Sequence, residues 1–173
     1  AGTESAPSQR VAGANVTTLS GIRVGTRAQH GVTLNNIVSA TVLDGFEISG
    51  GIANGSSGAG LLIQGGSPTI VMCTIRSNGA TNGGGASLIN AAATFVDCTF
   101  TSNSASAGDG GAILTSGTGG LTLTRCRFAS NTAREINPGA GRGAAVFNAA
   151  GSSLIVESCT FDGNSAITSA QLR

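Results

Sequence analysis

Tryptophan, tyrosine and lysine are all missing from this 173-residue chain, and six phenylalanines are its only aromatic side chains. Binding clefts for small molecules are usually lined by aromatic groups, so this poverty weighs against a site that grips sugars. Charged residues make up only 10 % and the net charge is +1. A field that weak draws in neither nucleic acid nor an anionic membrane, and neither is expected as a partner. No run of about 18 apolar residues exists, so no segment reads as a membrane-spanning helix. The single histidine, His30, has no serine or cysteine partner at a recognisable spacing and reads as polar surface. The four cysteines include no C-x-x-C pair, the spacing that zinc favours. No metal, cofactor or catalytic residue is therefore expected.

What is present suits one packed domain. Hydrophobic residues reach 40 %, too many for a disordered chain of low apolar content. The 28 glycines do not fall at every third position, which excludes a collagen helix. Residues 1–15 read as a flexible arm and 16–173 as the folded domain. Richness in Ser, Thr, Gly and Asn with little charge points to a secreted or cell-surface protein.

Four segments align without gaps: Cys73-Thr74-Ile75-Arg76-Ser77-Asn78-Gly79-Ala80, Cys98-Thr99-Phe100-Thr101-Ser102-Asn103-Ser104-Ala105, Cys126-Arg127-Phe128-Ala129-Ser130-Asn131-Thr132-Ala133 and Cys159-Thr160-Phe161-Asp162-Gly163-Asn164-Ser165-Ala166. Their cysteines are 25, 28 and 33 residues apart. A degenerate copy precedes them, with Phe46, Ile48, Gly51 and Ala53 in the Cys, Phe, Asn and Ala places, and Ile22 with Val24 suggests the start of another. Upstream of each cysteine, apolar residues recur at steps of two, the period of a strand. One step of three follows (Leu43, Ile70, Phe95, Leu123 and Val156 each lie three before the Cys place), which marks a corner whose two sides face one core. A second apolar patch, such as Leu61-Leu62-Ile63 or Ala112-Ile113-Leu114, opens another wall behind glycine pairs. Repeats of this length stack because no single unit can bury its own apolar face. The expected fold is all-β: a single right-handed parallel β-helix of about six coils, each with two or three short strands.

Phe100-x-x-Asn103, Phe128-x-x-Asn131 and Phe161-x-x-Asn164, with Gly110-Gly111-Ala112-Ile113 between, resemble the F-x-x-N and G-G-A-I repeats of polymorphic outer membrane protein passengers. More broadly they resemble right-handed β-helix proteins of the pectate-lyase-like superfamily. The resemblance spans about residues 40–166. Ile75 in place of Phe, and Gly84-Gly85-Ala86-Ser87 and Gly143-Ala144-Ala145-Val146 in place of G-G-A-I, depart from the pattern, and no membrane-barrel segment is recognisable. It implies surface passengers and adhesins, in a superfamily that also holds polysaccharide lyases and hydrolases.

Each candidate residue takes its meaning from its place in the repeat. Cys73, Cys98, Cys126 and Cys159 are expected to form one buried column of small thiols, with disulfides between coils possible but strained. Phe100, Phe128 and Phe161 are expected to stack in the core. Asn78, Asn103, Asn131 and Asn164 are expected to form a ladder inside a turn, where asparagine tolerates a left-handed backbone and its amide can bond to the copy above, satisfying polar groups the turn would otherwise strand. Asp97 and Arg125 hold the same place in consecutive coils and should pair up the wall. The acids show none of the clustering that a glycosidase or a calcium-dependent lyase needs. The outward row Thr74, Thr99, Arg127, Thr160 would suggest an ice-binding array, but Arg127 breaks it. The longest loop, 134–142, offers Arg134, Glu135, Asn137 and Arg142 as a contact site, because loops on rigid scaffolds often carry function. The reading is a non-enzymatic extracellular structural or adhesive protein. It would self-associate through uncapped solenoid ends into a fibre and meet a host or cell-surface glycan or protein. The alternative is a carbohydrate-binding or polysaccharide-degrading β-helix module.

Overall fold

The computed structural model describes residues 16–23, 26–37, 41–136 and 139–167. Their regular structure is all strand, and apart from one small ribbon every pairing is parallel. Four walls run along the solenoid. The first stacks six strands: Thr17–Ser20, Phe46–Ser49, Thr74–Arg76, Thr99–Thr101, Arg127–Ala129 and Thr160–Asp162. The second stacks five, among them Gly79–Asn82, Ser104–Ala105 and Thr132–Arg134. The third also stacks five, including Leu61–Gly66, Ala86–Ile89 and Ile113–Ser116. The fourth stacks five, from Val42–Asp44 through Thr69–Val71, Ala92–Val96 and Gly119–Thr124 to Ser152–Glu157.

Each coil therefore has four strands rather than two or three. The short second-wall strands around Ala80 and Ala105 escape a hydropathy reading because they bury only alanine. Among the described residues complete coils also fall short of six, since three walls hold five strands. The first strand of the first wall is another departure. Thr17↔Phe46 and Leu19↔Ile48 put Leu19 in the Phe place. Ile22 instead pairs with Arg27 in an antiparallel ribbon, and Val24 lies outside the described residues, as does the 1–15 arm.

Strand register explains the repeat. On the first wall Ile48, Ile75, Phe100 and Phe128 lie in one column, each fully buried. On the fourth, Ile70, Phe95 and Leu123 do the same. Alternate residues point outward, which is the two-residue period of a strand. The rings of Phe100 and Phe128 are 5.0 Å apart and 4° from parallel, and those of Phe128 and Phe161 are 5.0 Å and 6°. That separation is close to the spacing of neighbouring strands, about 4.8 Å, so the coil rise itself sets the stack. Phe161 nevertheless leaves 51 % of its surface exposed. No coil lies above it among the described residues, so it covers Phe128 without being covered. The third-wall core column turns polar near this end, where the Thr115 hydroxyl donates to Asn148 Oδ1 at 2.6 Å.

Phe128 is packed between two rings, and its removal should leave a cavity that the rigid coils cannot close. Phe128→Ala should cost about 3–5 kcal/mol, read as a lowered midpoint in thermal or denaturant unfolding. Phe161→Ala, with half its surface already in water, should cost distinctly less in the same measurement.

Candidate functional site: the cysteine and asparagine corners

The chemistry-bearing residues gather at two corners that flank the first wall. Between the fourth and first walls, Met72, Asp97, Arg125 and Ser158 all have φ between 47° and 53°, with Gly45 in the same place at 74°. A left-handed residue costs roughly 1–2 kcal/mol when it is not glycine. It is needed here because it turns the chain while the residues on both sides keep facing inward. The cysteine follows immediately and fills the corner. Cys73, Cys98 and Cys126 are each 1 % exposed, whereas Cys159 is only partly buried, since no coil covers it among the described residues. Each buried thiol donates across one coil. Cys73 Sγ reaches Leu43 O at 3.5 Å, Cys98 Sγ reaches Ile70 O at 3.4 Å and Cys126 Sγ reaches Phe95 O at 3.4 Å. Burial pushes the Cys73 and Cys159 thiols up. Cys126 is drawn down instead, because the neighbouring Cys98 thiol can turn from Ile70 O to donate to its sulfur.

Between the first and second walls the left-handed residues are Ser77, Ser102 and Ser130, φ 54–56°, with Gly50 and Gly163 in the same place. The asparagines come one residue later and are not themselves left-handed. Of the two reasons expected for asparagine here, the left-handed backbone falls to the preceding residue, while the amide bonding from coil to coil is what the structure shows. Asn103 Nδ2 donates to Ile75 O in one neighbouring coil at 2.9 Å and to Asn131 Oδ1 in the other at 3.0 Å. Asn131 Oδ1 also accepts the backbone N–H of Asn103 at 3.0 Å. The same pattern runs from Asn78, which also accepts from Gly51 N at 3.0 Å, up to Asn164, whose Nδ2 donates to Phe128 O at 3.0 Å. Both amide hydrogens of Asn78, Asn103 and Asn131 have acceptors, so a buried polar column costs little.

A further column was not apparent from sequence. Asn82 Oδ1 accepts from Asp109 N at 3.0 Å, and Asp109 Oδ1 accepts from Arg142 N at 2.7 Å. Arg142 also pairs with Asp109 Oδ2 at 2.7 Å, and its guanidinium lies 4.4 Å over the Phe147 ring. Only the aligned Gly83, Gly110 and Gly143 that follow hinted at this turn; a Cβ on Gly110 would run into the Ile113 carbonyl. Arg142 is thus tied to the scaffold while its side chain stays 60 % exposed. Glu135 accepts from Gly139 N at 2.9 Å within the loop. Arg134 ends a second-wall strand and is exposed, and Asn137 lies outside the described residues.

Charges are spent in the same way. Arg125 holds Asp97 with two bonds, at 2.8 and 2.7 Å, Arg76 holds Glu47 at 2.7 Å, and Arg127 lies 3.6 Å from Asp162. The guanidinium beside Asp97 holds its carboxyl below the usual range, as Arg76 does for Glu47. His30 Nδ1 donates to Gly58 O at 2.9 Å. No group of three or more metal-ligating side chains occurs among the described residues, and no helix there is long and apolar enough to cross a membrane.

This geometry agrees with comparison to known proteins. The family model for the right handed beta helix region matches residues 10–171, and the chain belongs to that family, which makes the solenoid right-handed. No curated protein and no solved structure matches it.

Two outcomes follow. Asn131→Ala strands the Asn103 N–H groups and the Phe100 carbonyl, and should cost about 1–3 kcal/mol for each buried group left unpaired, measured by equilibrium unfolding. The Asp97 carboxyl is lowered in the folded state, so its contribution is present above the unfolded value of about 3.9 and is lost as pH falls through the folded value. Asp97→Asn should therefore melt slightly below the parent at pH 7, and the two melting curves should converge in strong acid.

Proposed function

We propose that this right-handed β-helix is a non-enzymatic structural or adhesive element that works outside the cell. The observation that carries the reading is the use made of polar groups. The Asn amides, the Asp97, Asp109 and Glu47 carboxylates and three buried thiols are all engaged with the adjacent coil. An enzyme of this architecture would keep some carboxylates turned toward a substrate and toward each other. The four ion pairs among the described residues instead join acid to base between coils. Low charge and the abundance of small hydroxyl residues support an exported surface protein, as does the likeness to F-x-x-N passenger repeats. The partners that fit are a cell-surface glycan or protein and further copies of the rod.

End-to-end stacking is the more specific form of the proposal. Leu154 and Val156 are 40 % and 44 % exposed, although the same columns are buried at Leu121 and Leu123 below. A second copy would offer such an apolar strand edge strands of matching rise. A head-to-tail contact does not close and so propagates.

Sedimentation of the purified chain across a range of concentrations tests this form: growing linear species support it, and a strictly monomeric rod removes it. Turnover of any polysaccharide in a lyase and hydrolase screen would overturn the non-enzymatic reading itself, while retention on a glycan or cell-surface protein array without turnover supports the adhesive one.

A further inference from the structure

We propose that Cys126 and Cys159 are a reactive pair that closes into a disulfide between adjacent coils by exchange with a small-molecule disulfide. The register Arg127↔Thr160 sets the two cysteines in the same place of consecutive coils. Strands in register lie about 4.8 Å apart, inside the span of about 4.4–6.8 Å between the Cα atoms of a disulfide. Cys159 Sγ already sits over Cys126, accepting from its backbone N–H at 3.3 Å. Closing the bond asks for a small approach of the two Cβ atoms and a turn of the Cys126 sulfur away from Phe95 O, to which it now donates at 3.4 Å.

Burial then separates the roles. Cys73, Cys98 and Cys126 are sealed at 1 % exposure, and Cys159 is the thiol of the column that solvent reaches. An external disulfide RS–SR must therefore meet Cys159 first. The Cys159 thiolate attacks one sulfur, forms a Cys159–SR bond and releases RS⁻. Cys126 then attacks Cys159 Sγ, the Cys159–SR bond breaks, and a second RS⁻ leaves. Two protein thiols are oxidised to one disulfide, RS–SR is reduced to two RSH, and the two thiol protons go to the released RS⁻ groups. Attack by Cys126 needs its thiolate, and the Cys98 thiol beneath it eases loss of that proton. The deeper pairs, Cys73 with Cys98 and Cys98 with Cys126, have equivalent register but no exposed member to begin the exchange. The bond would enclose the loop at 134–142 and fasten the coil above it to the rest of the rod.

The test is to incubate the folded chain with oxidised glutathione, block remaining thiols with iodoacetamide, and map the peptides by mass spectrometry. The expected product is one Cys126–Cys159 disulfide, with Cys73 and Cys98 alkylated only after unfolding. Cys126→Ser, checked for an unchanged circular-dichroism spectrum, should stop at a stable glutathione adduct on Cys159. Cys159→Ser should leave Cys126 unmodified. A lasting glutathione adduct on Cys159 of the parent chain, a disulfide involving Cys73 or Cys98, or no reaction at all would each overturn the proposal. The parent map decides the matter even where a variant fails to fold.

Discussion

Everything in this molecule follows from stacking parallel strands in register at one strand spacing. The rise of about 4.8 Å per coil places each side chain directly on the side chain that holds the same place in the next coil. A column is then stable only if its members suit one another at that distance. Flat rings do, and Phe100, Phe128 and Phe161 lie nearly parallel at 5.0 Å. Primary amides do, because each carries both donors and acceptors and can pass a hydrogen bond upward. Like charges do not, so aspartate and arginine alternate in the columns that hold Asp97 with Arg125 and Asp109 with Arg142.

The same constraint explains why the corners carry the polar chemistry. A strand can satisfy its backbone through the neighbours above and below it, but a left-handed corner residue adds strain that something must offset. The inward cysteine fills the space behind one corner and ties it to the coil below. The asparagine takes up the backbone groups that the other corner would leave unpaired. With both corners pinned, the loop between Arg134 and Arg142 can lengthen one coil without moving its strands, since Arg142 is recaptured by Asp109 and the third wall resumes in register.

The functional reading rests on where these groups are directed. Amides, carboxylates and thiols are the materials of active sites, yet here they hold coil to coil. The reactivity that remains is graded along the rod. Deep thiols are shielded by the coils above them, and Cys159, the uppermost among the described residues, is only partly buried. A repetitive scaffold can in this way confine chemistry to one end without changing its sequence pattern.

Spacing alone determined much of this protein. The period of the repeat, the step of three at the corner, and the identity of the Cys, Phe and Asn columns are legible because register in a solenoid is a property of sequence alignment: aligned residues must stack. Asp97 over Arg125 was readable for the same reason. What the sequence could not show depends on three-dimensional closure. The second wall was hidden because alanine carries too little hydrophobicity to mark a strand. The left-handed residue before each asparagine, a serine in three coils and Gly163 in the fourth, depends on backbone angles that composition does not encode. The Asn82–Asp109–Arg142 column joins unlike residues across loops of unequal length. The exposure of Phe161 and Cys159 set them apart from identical residues one coil below, because burial belongs to a position in the stack and not to a place in the repeat.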